Sequence, residues 1–304
     1  MPSSIPAPPT TLPRSPRYDL TVVPFVLFHL VAVVGVFLVD FSGWMVALAV
    51  ASYYVRMFGI TAGYHRYFAH RGFKTGRAFQ FFLALLGSTT SQKGVLWWAA
   101  HHRDHHKYSD TDRDIHSPLR GFWYSHLGWF LSRETEATKL ERIRDFARYP
   151  ELVWLNRNWV WPTVGYAVMM YLAGGSSALI WGFFVSTTVL WHGTFTINSL
   201  AHVFGTRRYE TTDTSRNNFF LSLITMGEGW HNNHHHYQST ARNGFFWWEI
   251  DLSYYLLKAL SWLGIVRDLR QPPAWVLKGE TRAHPGPEIE PEIIEDPAAP
   301  ARAA

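Results

Sequence analysis

Apolar and polar positions alternate on a long scale along this chain. Residues 20–39, LTVVPFVLFHLVAVVGVFLV, carry one histidine and no formal charge. About 20 apolar residues is the length of a helix that crosses a bilayer core of roughly 30 Å. The run is too long for a signal-peptide core and no small-residue cleavage site follows, so it predicts a retained span. After the break DFSG a second run covers residues 44–63 and includes Arg56, which at depth must face protein, headgroups or water. A third run at 159–174, the break GGSS and a fourth run at 178–198 repeat the arrangement. Both breaks are short, so the pattern predicts an all-α integral membrane protein with four transmembrane helices in two hairpins.

Two further apolar stretches are read differently. Residues 78–98, AFQFFLALLGSTTSQKGVLWW, have an apolar core of about ten residues before STTSQK intervenes, which favours an interfacial or re-entrant segment. A crossing there would also separate His65 and His70 from His102 onward and forbid a shared site. SYYLLKALSWLGIV, residues 253–266, is short and interrupted by Lys258, as an interfacial or packed amphipathic helix would be. The breaks DFSG and GGSS hold no Lys or Arg, whereas Arg14, Arg17, Arg66, Arg71, Lys74 and Arg77 flank the other ends of the first two runs. The positive-inside rule then puts both termini in the cytoplasm. Residues 1–17 and 279–304 have the composition of disordered tails around a domain at 18–278.

Composition narrows the chemistry. The 304 residues include 16 histidines and no cysteine, which excludes disulfides, thiolate metal sites and a cysteine nucleophile within the chain. A metal must be held by imidazole, carboxylate or carbonyl groups. The formal charge of +5 suits a membrane surface as well as an anionic substrate and gives no reason to invoke nucleic acid.

The histidines fall at metal-ligand spacing. His102, His105 and His106 (HRDHH) and His231, His234 and His235 (HNNHH) stand at i, i+3 and i+4, which a helix places on one face. His65 and His70 in HRYFAH stand at i and i+5, so they serve different metals or need a break in the helix. Asn198 and His202 in NSLAH are again one turn apart. Nine imidazoles exceed the needs of one ion, and zinc hydrolases use only three ligands, so two redox-active ions are expected. His29, His192 and His284 read as surface or satisfied polar residues, and His101, His116, His126 and His236 as non-ligands.

At these residues the chain resembles the membrane fatty-acid desaturases, specifically the stearoyl-CoA (delta-9 acyl-CoA) branch. GITAGYHRYFAHRGFK, WWAAHHRDHHKYSD, GFWYSHLGWF, NSLAHVFGTRRY and GEGWHNNHHHY occur in family order over roughly residues 55–240. The resemblance implies four spans under a cytosolic helical cap that holds two irons. It assigns His65, His70, His102, His105, His106, His202, His231, His234 and His235 as metal ligands, and Asn198 as a ligand through water. It further implies dioxygen-dependent removal of two hydrogens from adjacent methylenes, giving a cis double bond in a fatty acyl chain, with acyl-CoA as substrate. Gln92, Trp98, Thr194 and Phe195 match the bend of the family's acyl tunnel. Phe195 replaces a tryptophan of animal members, and Ala100 stands where they carry an arginine near CoA, which weakens the case for a CoA thioester over an acyl lipid or a carrier-protein thioester.

Several alternatives stay open on the sequence. A membrane di-iron hydroxylase of an alkane, fatty acid or carotenoid shares the histidine-box chemistry. A transition-metal transporter also collects histidines, but its sites lie near the membrane midplane, whereas these lie at or beyond the cytoplasmic ends of spans. About 20 residues follow the HPG at His284, too few for a fused cytochrome b5-type domain, so electrons are expected from a separate donor, cytochrome b5-type or ferredoxin/reductase. PARAA carries no ER-retention signature, leaving bacterial inner membrane and ER membrane both open.

Overall fold

A computed structural model describes residues 22–132, 135 and 137–279. The expected tails, with Arg14, Arg17 and His284, lie outside the described residues apart from Gly279. Helix α1 (Val22–Leu38) turns Val23, Leu30, Val33 and Phe37 outward, each more than half exposed, and keeps Ala32 and Gly35 inside. Such a face suits lipid or a protein partner rather than water. Helix α2 (Gly43–Phe58) starts at Ser42, whose hydroxyl accepts the Met45 N–H at 3.3 Å, and runs without a break into a π-helical stretch, Gly59–Ala69.

The segment at 78–98 is two helices. A two-residue strand β1 (Lys74–Thr75) leads into α3 (Arg77–Ser88), which lies along Gly59–Ala69 so closely that a Cβ on Gly59 would come 2.7 Å from the Gly87 nitrogen. A turn at 89–94 then meets the spans: the Thr89 carbonyl accepts from Arg56, and the Thr90 carbonyl accepts from Trp191 Nε1 at 2.7 Å. Helix α4 (Val95–Tyr108) brings the chain back. His70 before the segment and His102 after it have ring nitrogens 2.9 Å apart, so it enters and leaves at one place.

Irregular chain with the short helices α5 (Arg144–Ala147) and α6 (Pro150–Arg157) leads to α7 (Val160–Ala178). The break sits at Gly174 and Gly175; Gly175 has φ +64° and ψ −153°, open only to glycine. The rings of Tyr166 and Phe183 are 6.2 Å apart, so the chain reverses there, as GGSS predicts. The return arm is π-helical at Leu179–Val185 and continues as α8 (Ser186–Asn198). It packs on α1 through Ile180 against Gly35 and Phe183 against Phe28, and on α2 through a Ser186–Ser52 hydroxyl contact of 3.0 Å. The return arm therefore bridges the helices of the first predicted hairpin. Arg56 is fully buried and bonds Thr187 Oγ1 at 2.7 Å, the Ser186 hydroxyl and the Ser52 and Thr89 carbonyls, so the protein satisfies its donors.

Short helices α9 (Leu200–Val203), α10 (Phe219–Ile224) and α11 (His231–His236) follow. Helix α12 (Leu252–Trp262), capped by Asp251, exposes Tyr255, Leu256 and Trp262 and buries Leu257. Its 11 residues are too few to cross a bilayer. Strand β2 (Val266–Arg267) pairs antiparallel with β1. From Pro273 onward a separate unit begins, with a helix at Ala274–Leu277. Among the described residues two continuous helices are long and apolar enough to cross a membrane, Gly43–Ala69 and Val160–Val203, the latter containing the Gly174–Gly175 break; Val22–Leu38 is apolar but shorter. The protein is mostly helical.

Candidate metal centre

The first element of the site is a change of helical winding. In an α-helix positions i and i+5 lie about 140° apart around the axis. From Gly59 to Ala69 the turns are π-helical, and the His70 N–H donates to the His65 carbonyl at 3.1 Å, an i to i+5 bond. The wider turn stacks His65 over His70. Of the two alternatives left by the spacing, the geometry takes the altered helix.

Nine imidazoles collect into two groups. His65, His70, His102, His106 and His234 form one; His105, His202, His231 and His235 form the other. Each HxxHH motif is thus divided. His102 and His106 face the first group while His105 turns to the second; His231 and His235 face the second while His234 turns to the first. This corrects the expectation that each triple converges as a unit: i and i+4 share one line of approach, and i+3 lies to the side.

Helix α11 has six residues, too few to be stable alone. The asparagines inside HNNHH anchor it. Asn232 Oδ1 accepts the N–H groups of Arg208 and Tyr209, both at 2.8 Å, and Asn233 Nδ2 donates to Glu249 Oε2 at 2.8 Å.

Carboxylates set the tautomers. His65 Nδ1 lies 2.6 Å from Glu228 Oε2, His105 Nδ1 3.0 Å from Asp114 Oδ2, His202 Nδ1 3.2 Å from Asp110 Oδ1, and His235 Nδ1 2.6 Å from Asp213 Oδ2. A proton held on Nδ1 leaves the Nε2 lone pair free. Burial would raise the pKa of these acids, but the imidazoles and hydrogen bonds around them hold Asp110, Asp114, Asp213 and Glu228 below the usual carboxylate range. Burial and neighbouring imidazoles push His102, His106, His231 and His234 well below 6.5, and His235 goes down to about 4. Asp114 reverses the effect of burial at His105, which is raised. Gly227 makes room for this support: it has φ +114°, and a Cβ there would meet Asp251 Oδ1 at 2.3 Å.

These residues fit metal ions. In the first group the Nε2–Nε2 separations are 3.0 Å for His65–His234, 2.9 Å for His234–His106, 3.0 Å for His106–His102 and 2.9 Å for His102–His70. An octahedron with ~2.1 Å metal–nitrogen bonds has edges of ~3.0 Å. In the second group His202 Nε2 and His231 Nε2 are 3.0 Å apart, and His235 Nε2 is buried without a hydrogen-bond partner. Three of its four imidazoles hold a carboxylate on Nδ1, so their lone pairs turn inward and call for a cation between them. Asp213→Asn is expected to lower metal affinity roughly 10–100-fold, read by iron retention during titration with a chelator. Unchanged retention would show that Asp213 does not orient His235.

Beside the imidazoles lie two small adjoining cavities of about 50 Å³ each. Gln92, Trp98, Thr194, Phe195 and Asn198 all line the first; Trp98, His102, Thr194 and Asn198 line both. Trp98 stacks on His102 with ring centres 4.9 Å apart, and Gln92 Nε2 donates to Thr194 Oγ1 at 3.1 Å. Phe195 stacks on Phe130 at 4.9 Å.

The remaining described histidines are partnered or packed elsewhere. His29, His192 and His126 form a row with nitrogens 3.0 Å apart that ends on Ser199 Oγ, 2.9 Å from His126. His101 Nδ1 donates to the Trp97 carbonyl at 2.8 Å, and His236 stacks on Tyr209 with ring centres 4.1 Å apart. His116 lies against His105 and lines the first cavity. Sequence reasoning overlooked Asp110, Asp114, Asp213 and Glu228. A signal existed for three of them: YSDTDRD follows the second histidine motif directly, and GEGW precedes the third.

Paired imidazole clusters at the ends of apolar helices, beside two adjoining cavities, fit a metal-binding membrane protein. The chain belongs to the fatty acid desaturase family, which it matches over residues 41–263. It is 38% identical over 236 residues to delta-9 acyl-lipid desaturase 1 of Arabidopsis thaliana, covering 77% of each chain. It is 37% identical over 252 residues to the sn-1 stearoyl-lipid 9-desaturase of Synechocystis sp., covering 82% of this chain and 79% of that one. It is also 36% identical over 256 residues to an acyl-CoA 5-desaturase of Anemone leveillei, covering 81% and 80%. The protein is an oxidoreductase of fatty acyl chains.

Proposed function

We propose that this chain is a di-iron desaturase that places a cis double bond at carbon 9 of a saturated acyl chain. Dioxygen is the oxidant, and a separate protein donor supplies two electrons. The observation that carries the reading is the wall shared by the two cavities, where Trp98, His102, Thr194 and Asn198 meet beside the imidazole groups; this is the elbow of the proposed acyl path. The five imidazoles of the first group hold one iron. The four of the second would hold the other, with Asn198 as a further ligand through water. When bound, the irons supply the redox chemistry that activates dioxygen, with two protons taken up and two waters formed as the two hydrogens leave. The protein's part is position: Trp98 on His102 and the Gln92–Thr194 bond keep the chain bent, so that one pair of methylenes lies at the elbow. No side chain need act as a base on a methylene, which has no usable acidity.

Stearoyl-CoA is the substrate that the motifs of the branch favour. A glycerolipid-bound chain is the second reading, favoured by Ala100 and by the two relatives named for position 9, both acyl-lipid enzymes. The test is expression in a desaturase-deficient host, with mass spectrometry of the lipids and localisation of the double bond, followed by turnover of labelled stearoyl-CoA and stearoyl glycerolipid in parallel. A hydroxylated chain as sole product would refute desaturation.

The four-span arrangement with cytoplasmic termini has its own test in this cysteine-free chain. Single cysteines at Asp40 and Ser176 should react with an impermeant reagent from outside, and those at Lys74 and Asp112 only from inside. Labelling of position 112 from outside and of 74 from inside would put the two sides of the site in different compartments and overturn the arrangement.

A further inference from the structure

The wall of the first cavity holds two buried polar groups to which the described residues give no hydrogen-bond partner. Trp129 is 8% exposed, and its indole Nε1, a donor only, has no hydrogen-bond partner among the described residues. His116 is 5% exposed, and its Nδ1 also has none; the Asp114 Oδ1 atom is 3.7 Å away, beyond hydrogen-bond length. The two rings are 5.2 Å apart, and both line the cavity with Trp98 and His102. An unpaired buried donor carries its full desolvation penalty. The Trp129 indole is such a donor, and His116 protonated on Nδ1 is a second beside it; together they call for an acceptor from a ligand.

A third metal site does not explain them. His116 does fall within metal-binding distance of His105 and Asp114, but those two already bond each other at 3.0 Å, and His105 belongs to the second imidazole group. Trp129 cannot ligate a metal through its N–H. Nor does Phe195 offer an alternative donor on this wall. The second cavity differs in character: Met57, Ile60 and Ile197 line it, and its His65 lies 2.6 Å from Glu228 as part of the imidazole group already described.

We propose that Trp129 and His116 form a carbonyl-binding site that fixes the head of the acyl chain. The inference rests on the desaturase reading. A saturated acyl chain carries its polar group at one end, and the carbonyl oxygen of an ester or thioester has two lone pairs. The Trp129 Nε1–H takes one and an N–H of neutral His116 takes the other. The head then lies in the first cavity and the methyl end in the second. With the carbonyl held, the methylene at the elbow is set by counting from the head, so chains of 16 and 18 carbons receive the double bond at the same distance from the carbonyl. Trp129 and His116 are positioning residues; they touch substrate but not the reacting carbons.

The test uses the full chain in membranes, with palmitoyl- and stearoyl-CoA in one arm and the corresponding glycerolipids in the other. Trp129→Phe keeps the ring and removes the donor. It should raise KM roughly tenfold, lower kcat less, and spread the double bond over neighbouring carbons, with iron content unchanged. The arm that responds identifies the carbonyl as thioester or glycerol ester. A single product isomer at unchanged KM would overturn the proposal. Should Trp129→Phe not be recovered with its iron, His116 decides. His116→Gln, which keeps a donor, should hold one isomer while His116→Phe smears it, and equal behaviour of the two overturns the site. Wild-type protein that forms no unsaturated product in either arm would sink the desaturase reading instead.

Discussion

Desaturation by His106→Ala is expected to fall to background while the protein still inserts in the membrane. His106 stands at the middle of the first group, its Nε2 3.0 Å from that of His102 and 2.9 Å from that of His234. Removing it opens a gap that no neighbouring donor fills, since the other four imidazoles are fixed on α4, α11 and the π-helical stretch. Losing a group that merely orients a ligand costs 10–100-fold, so losing the ligand itself should cost more than ~100-fold in turnover, with iron per chain dropping from about two. Wild-type turnover in the variant would remove His106 from the metal centre and with it the division of the HxxHH motifs argued above.

Arg66→Met should be the most destabilising single change around the imidazole groups. Arg66 is 1% exposed and pairs with two buried acids: NH2 lies 3.0 Å from Glu228 Oε1, and NH1 2.8 Å from Asp251 Oδ1. It also donates to the Ala241 carbonyl at 2.9 Å. Breaking a buried pair from one side leaves charge without compensation, at a cost of about 3–5 kcal/mol. Here two carboxylates are stranded, one supporting His65 and the other capping α12. Thermal unfolding in detergent should show a midpoint lower by on the order of 10 °C. An unchanged midpoint would mean that water reaches these acids and that the network carries little stability.

The apolar runs, the GGSS reversal and the turn at 78–98 were legible because each depends on composition over ten or more residues. The histidines singled out in the sequence do come together. Their grouping was not legible, because it depends on winding. Nothing in GITAGYHRYFA distinguishes a π-helix from an α-helix except the five-residue step from His65 to His70. The division of HRDHH and HNNHH between two groups needs both ions' positions, which residue type does not encode. The bridging of α1 and α2 by the return arm rests on shape, through Gly35 and Ile180. The carboxylates escaped because acidic residues near a cationic motif look like a solvated surface until burial is known. Trp129 was not singled out in the sequence; only the missing partner of its N–H among the described residues marks it.

The imidazoles come from positions 65 to 235; the first group joins His65 to His234, and the second joins His105 to His235. During synthesis the first ligands therefore emerge long before the last. A nascent chain halted anywhere before α11 has no complete nest for either ion, since His234 closes one group and His231 and His235 close the other. With iron held as proposed, its loading is a late step of biogenesis, after the return arm has bridged α1 and α2. Cells short of iron should accumulate inserted, folded but empty protein rather than chains stalled during insertion.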